Sequence, residues 1–158
     1  MNDLLIRAAT ASDAVSMIDI HARSIRALCR DDYQTEQIDA WIGKRTPEEY
    51  VARIGARPFF VAEIDSKLVG YAAYSPISNE LLSVFVDPDF ARQGVATALV
   101  DDLLASARSK GVTTLWLDSS LMAVLFYESV GFISTKEITH DFNGVAIEGV
   151  RMKIVLKD

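Results

Sequence analysis

Phe90-Ala91-Arg92-Gln93-Gly94-Val95-Ala96-Thr97 reads as a turn that becomes a helix, and the residues on either side decide the architecture. Upstream, Leu81-Leu82-Ser83-Val84-Phe85-Val86 is short, apolar and partly β-branched, which suits a buried strand. Asp87-Pro88-Asp89 closes it, because proline has no N–H for a ladder and aspartate favours turns. Downstream, Val95, Leu99, Leu103 and Ala107 recur four residues apart, with Ala96, Val100 and Leu104 beside them. Thr97, Asp101, Asp102, Ser106 and Arg108 occupy the other side, so the spacing predicts an amphipathic helix. Arg108 and Lys110 suit the negative end of its dipole, and Gly111 suits a left-handed residue that stops it. The unit is strand, turn, glycine, helix.

Such a unit can hold an anion. The first N–H groups of a helix lack partners within it, and the dipole concentrates partial positive charge there. Gly94 has no Cβ and Ala96 little more, so a bulky anion can approach the backbone, and Arg92 adds a full charge. The stretch reads as a phosphate cradle. It carries neither the lysine of a Walker loop nor the three spaced glycines of a dinucleotide fold.

The 158 residues fit one domain, residues 1–158, long enough to bury roughly two-thirds of the unfolded surface. The net charge of −6 argues against general affinity for nucleic acid or anionic membrane, so an anionic ligand needs a local positive site. No apolar run approaches the ~20 residues of a membrane helix, and the N-terminus lacks a signal-peptide pattern. Cys29 is the single cysteine, which excludes an intrachain disulfide and a cysteine metal cluster. A cytoplasmic protein without a metal is the expectation.

In chain order, Leu4–Ala8 reads as a first strand, and Thr10-Ala11-Ser12-Asp13 offers caps for a helix over 14–27. After a connection at 29–33, a second helix begins past Thr35, carries Ile38 and Trp41, and stops near Gly43. Pro47 opens a third. Strands at 59–64 and 67–74 bracket the hairpin signal Asp65-Ser66. Beyond the central unit come a strand at 113–118, a short helix capped by Ser119 or Ser120, and strands at 132–140 and 145–156 joined around Asn143-Gly144.

A second motif lies at Leu125-Phe126-Tyr127-Glu128-Ser129-Val130-Gly131-Phe132. Taken alone, its aromatics read as packing against a sheet. Taken with the V-D-P turn and R-Q-G-V-A-T-A-L about thirty residues before, the ordered pair resembles the GNAT superfamily of acyl-CoA-dependent N-acetyltransferases. The likeness covers essentially the whole chain, and the string around His21, Arg23 and Ser24 is similar to a small bacterial subgroup without an assured substrate. The resemblance implies a single-domain α/β fold with a mixed, mostly antiparallel sheet of about seven strands and helices on both faces. It implies that backbone groups of Phe85 and Val86 hold the pantetheine arm and acetyl carbonyl of acetyl-CoA. The N–H groups of Arg92, Gln93, Gly94, Val95, Ala96 and Thr97 would bind the pyrophosphate. Ser120 and Phe126 would border the cosubstrate, and Tyr127 would be the catalytic acid facing the sulfur. The chain departs from the family pattern at Ala91, where Gln or Arg is usual, and at Ser120, where Asn is frequent.

Acetyl transfer to an amine needs a neutral nucleophile, a stabilised oxyanion and a proton for the leaving thiolate. A tyrosine, ionising near pH ~10, can supply that proton at neutral pH, and the Val86 N–H can assist the oxyanion. The base is open between Glu80, His140, Asp118 and a water relay. Many relatives carry a glutamate where this chain has Ser83. Glu80, at an odd offset from Ser83, belongs on the opposite strand face unless a bulge intervenes. By resemblance, the acceptor meets residues 29–41. There Asp31, Asp32, Glu36 and Asp39 would attract a cationic amine, and Tyr33 and Trp41 offer an aromatic wall, although Trp41 reads first as core. Cys29 reads as a small buried hydrophobe, and His21 has no second metal ligand at a useful spacing. The expected activity is direct acetyl transfer to a small-molecule or protein amine. The alternative is a non-catalytic acyl-CoA sensor of the same fold. A homodimer is a plausible assembly.

Overall fold

The computed structural model describes residues 3–157, so residues 1, 2 and 158 of the expected domain lie outside it. Its strands are β1 (Leu4–Ala8), β2 (Phe59–Ile64), β3 (Lys67–Ser75), β4 (Glu80–Val86), β5 (Thr114–Ser120), β6 (Ile133–Phe142) and β7 (Val145–Val155). They form one seven-stranded sheet in the order β1-β2-β3-β4-β5-β7-β6. Every neighbouring pair is antiparallel except β4 with β5. That parallel pair needs a crossover, and α4 (Val95–Ser109) supplies it.

The hairpin signals act as read. Asp65 and Ser66 both have positive φ, as do Asn143 and Gly144, which suits the primed turns that match strand twist. Helices α1 (Ala14–Cys29) and α3 (Pro47–Ala56) pack on one face around Met17, Ile20, Tyr50, Val61 and Tyr71. Helices α4 and α5 (Val124–Ser129) cover the other, and α2 (Thr35–Ile42) leans on β7 through Ile38, Ile42 and Ile147. The stripe of α4 is buried as its spacing predicts: Val95, Leu99, Val100, Leu103, Leu104 and Ala107. It sits close over β3 at Gly70, where a Cβ would meet Val95 and Leu99 side-chain carbons at 3.1 Å.

Boundaries shift slightly from the sequence reading. Helix α1 continues two residues past Ala27, to Cys29. Strand β5 runs on to Ser120, so Ser119 belongs to the strand and Ser120 is the cap, its Oγ accepting the Ala123 N–H at 3.2 Å.

The start of α1 is held by charge. Asp13 is buried and receives Arg7 Nη1 and Nη2 at 2.8 and 2.9 Å, and its Oδ2 also accepts the Thr10 N–H at 2.8 Å. Arg7 hydrogen bonding lowers the Asp13 pKa below the usual carboxylate range despite opposing desolvation. A depressed folded pKa stabilises above the unfolded value and loses that stabilisation as pH falls through the folded one. Asp13→Asn is therefore expected to cost about 1–3 kcal/mol at neutral pH. In urea titrations the gap to the wild type should narrow below about pH 4.

Candidate active site

Strands β4 and β5 part company. Glu80 stands opposite Trp116, whose N–H donates to Asn79 O at 3.0 Å, and among the described residues no further pair of these strands is in register. The C-terminal half of β4 therefore has an open edge. Asp87 N–H donates to Val69 O of β3 at 2.8 Å. By strand alternation the N–H groups of Val84 and Val86 face the other way, into the opening. Phe85 O instead lies 3.0 Å from where a Cβ on Gly70 would stand, toward β3.

The opening continues into a cleft of about 690 Å³. Its floor at one end is the beginning of α4. Arg92 and Gly94 both have positive φ, which turns the chain sharply before Val95. Ala98 N–H, donating to Gly94 O at 3.0 Å, makes the first helical hydrogen bond, so the N–H groups of Val95, Ala96 and Thr97 precede it. A Cβ at Gly94 would touch no atom within 4 Å, so the space above the cradle is free for a bulky group. The preceding turn is anchored from α1. Arg23 reaches Asp87 at 2.8 Å and Asp89 at 3.2 Å, and Asp87 Oδ1 accepts the Asp89 N–H at 2.9 Å.

Of the residues predicted for the site, Phe85, Val86, Arg92, Gly94, Val95, Ala96, Thr97, Ser120, Phe126 and Tyr127 line this one cleft; Gln93 does not. The Tyr127 ring is wedged edge-on between Phe126 and Phe132, with centroids 5.2 and 5.7 Å away. Burial raises its phenol well above the ordinary tyrosine range, so the group stays protonated throughout the physiological range.

The base candidates are rearranged by a bulge. Ala73 pairs with Ser83 but Tyr74 pairs with Leu81, so β4 carries Leu82 as an extra residue. Leu81 packs with the α4 side, whereas Leu82 and Phe85 pack with the α1 side. The bulge reverses the alternation and brings Glu80 to the face of Ser83 and Phe85, the exception the odd offset left open. Glu80 and Ser83 both line the cleft. Desolvation raises the Glu80 pKa, and the neighbouring Asp118 raises it further. Asp118 lies within β5 rather than at its end. Burial works to raise its pKa, but hydrogen bonds from Arg151 (2.7 and 3.0 Å) and His140 (2.8 Å) outweigh it and lower it.

The fold has counterparts among known proteins. A family model described as an acetyltransferase (GNAT) domain matches residues 29–156. The chain belongs to the GNAT family of N-acetyltransferases. An uncharacterized N-acetyltransferase of Escherichia coli K12, YafP, is 29% identical over 137 residues, covering 87% of this chain and 86% of that one. A GCN5-related N-acetyltransferase structure from Rhodopseudomonas palustris superposes with a TM-score of 0.92 at 27% identity, covering 99% and 98% of the two chains. The PaiA N-acetyltransferase of Thermoplasma acidophilum, solved with coenzyme A, shares the fold, with a TM-score of 0.80 at 21% identity and 97% and 99% coverage.

Within this GNAT fold residues 29–41 are arranged partly otherwise than expected. Tyr33 and Trp41 do line the cleft, meeting edge-to-face at 5.6 Å, and Trp41 also packs, half-buried, against the core around Ile25, Ile38 and Ile42. Tyr33 is fixed by its hydroxyl, which donates to Glu148 O at 2.6 Å and accepts the Leu121 N–H at 2.9 Å. The acidic residues do not join them. Asp31, Asp32 and Glu36 are exposed around an adjoining depression that shares Tyr33 and Glu148 with the cleft, and Asp39 lines neither space. The helical phase of α2 turns Ile38 and Ile42 inward and leaves Glu36 and Asp39 outside, while Asp31 and Asp32 stand in the exposed turn before it. Cys29 is buried and its thiol pushed up to about 11 by desolvation, so it stays protonated. Arg45 lines the cleft from the segment between α2 and α3. Nothing in the sequence separated it from ordinary loop cations. Among the described residues there is no group of three metal-ligating side chains, and no helix is long and apolar enough to cross a membrane.

Proposed function

We propose that residues 1–158 form one N-acetyltransferase domain that moves the acetyl group of acetyl-CoA directly to a primary amine, with Tyr127 as general acid and Glu80 as general base. The observation that carries this reading is the parted β4–β5 pair, which leaves unpaired strand backbone leading from the first turn of α4 to Tyr127 and Glu80. The diphosphate sits on the N–H groups from Arg92 to Thr97, where the helix dipole and the Arg92 charge favour it. The pantetheine arm runs along the β4 edge as an added strand, which directs the thioester carbonyl toward the Val86 N–H. Ser120 and Phe126 border it from the β5 side.

Glu80 takes the proton of the incoming ammonium, directly or through one water, and the free amine attacks the thioester carbon. The attack gives a tetrahedral intermediate, its carbon–sulfur bond breaks, and the phenol of Tyr127 protonates the departing sulfur. The surplus proton on the new amide nitrogen returns to the Tyr127 oxygen. A raised Glu80 pKa narrows the gap to the amine it must deprotonate, and a phenol shielded from water is available only as a donor.

Gly94→Ala probes the cradle. The added Cβ meets no protein atom, but φ of +82° costs a non-glycine residue about 1–2 kcal/mol. Relaxation of that turn displaces the N–H groups from the diphosphate. Acetyl-CoA affinity is expected to fall about tenfold by calorimetry, with a smaller change in kcat. The reading as a whole is tested by thiol release from acetyl-CoA across a panel of amines. Amine-stimulated release supports it. Acetyl-CoA binding without stimulated release favours the sensor alternative.

A further inference from the structure

His21 is 1% exposed, and neither of its ring nitrogens has a hydrogen-bond partner. Buried polar groups are nearly always satisfied, so a histidine orphaned at both nitrogens beside a cavity points to a partner that arrives with a ligand. The ring lines the acceptor side of the cleft and meets Phe85 edge-on at 4.7 Å. Ser24, one turn on along the same face of α1, is also buried there.

The surroundings of His21 are cationic. Arg45 lines the same space, its Nη1 donating to the Tyr50 hydroxyl at 3.2 Å and its Nε to Ile42 O at 3.4 Å. Arg53 lies over the same Tyr50 ring at 5.8 Å. Arg7, Arg23 and Arg151 each pair with a carboxylate, whereas among the described residues Arg45 pairs with none. Burial chiefly, with Arg45 and Arg53 adding, lowers the His21 pKa to about 3, so the ring is neutral and offers one N–H. The same cleft is also lined by Glu80, which has a second carboxylate, Asp118, nearby. The rings of Phe85 and Trp41 line this cleft as well, Phe85 against His21 itself. The cleft thus offers in Arg45 a cation without a carboxylate partner among the described residues, a neutral N–H donor, aromatic walls and a carboxylate base.

We propose that the acceptor is a small amine that also bears a carboxylate, an amino-acid-like zwitterion with an apolar body, its carboxylate held by Arg45 and the His21 N–H and its amine directed to Glu80. This rests on the acetyltransferase reading and narrows its substrate class. Charge-assisted hydrogen bonds from guanidinium to carboxylate supply the discrimination.

The test compares matched acceptors by thiol release: L-leucine, L-methionine and L-phenylalanine, each against its decarboxylated amine and its amide, over a pH range that allows for their different amine pKa values. The carboxylates are expected to exceed both partners by about tenfold to a hundredfold in kcat/KM. In Arg45→Gln that ratio should collapse toward one, and Arg45→Lys should restore part of it. 3-Phenylpropionate, which cannot react, should bind the coenzyme A complex of the wild type by calorimetry and lose its heat in Arg45→Gln. Turnover without a carboxylate preference, or 3-phenylpropionate binding that survives Arg45→Gln, overturns the zwitterion assignment and leaves acetyl transfer standing. Failure of every amine to release thiol overturns the acetyltransferase reading and this assignment with it.

Discussion

Tyr127→Phe is expected to lower kcat at least tenfold, toward the ~10²-fold typical of a lost general acid, while acetyl-CoA binds nearly as before. The substitution keeps the ring between Phe126 and Phe132 and removes the oxygen alone, so packing around α5 should survive. The α5 backbone is held independently of the hydroxyl, with the Val130 and Phe132 N–H groups donating to the Tyr127 carbonyl at 3.2 and 3.0 Å. A fall in both affinity and turnover would mean the phenol serves structure. An unchanged kcat would remove Tyr127 from the reaction. The pH profile separates the cases further: with the phenol held above its ordinary range by burial, no alkaline limb from this group should appear in the accessible range.

Glu80→Gln should have the second large effect. If Glu80 accepts the ammonium proton, kcat/KM at neutral pH falls about 10²-fold or more. The wild-type profile carries the sign of the role. Glu80 acts when ionised, so kcat/KM declines as pH drops through its folded pKa. Desolvation and Asp118 set that pKa above the ordinary glutamate value, so the acid limb lies above ~4.3. In Glu80→Gln the limb should disappear and the residual rate should depend on the acceptor's own ionisation. A variant that keeps both the limb and the rate would shift the role to water. Stability should move oppositely, since a carboxylate whose ionised form is disfavoured by folding weakens the fold above its pKa. Glu80→Gln is thus expected to unfold no earlier than the wild type at neutral pH.

The central unit was legible because it depends on local chemistry. A short apolar strand, an Asp-Pro turn, a glycine that must take positive φ and a four-residue stripe each report their own geometry, and β4, α4 and the Gly94 turn stand where they point. The turn dipeptides at 65–66 and 143–144 were equally direct. What escaped was set by tertiary contact. The bulge at Leu82 has no signature in Leu81-Leu82-Ser83, because any of these residues suits a strand, and the pairing of β3 with β4 decides which is extra. That single residue moves Glu80 to the other face. Glu36 and Asp39 read as part of an acceptor lure because the phase of an eight-residue helix is hard to fix without knowing what its apolar side meets. Arg45 and His21 carry chemistry only through their surroundings: among the described residues one lacks a carboxylate partner and the other a hydrogen-bond partner.

The most direct measurement of the whole account is a crystal structure of the protein with acetyl-CoA or coenzyme A bound. The account predicts the diphosphate on the main-chain N–H groups between Arg92 and Thr97, the pantetheine beside the open edge of β4, and the sulfur within hydrogen-bond reach of the Tyr127 hydroxyl. A coenzyme seated elsewhere, or a sulfur turned away from Tyr127 with the α4 cradle empty, would contradict it.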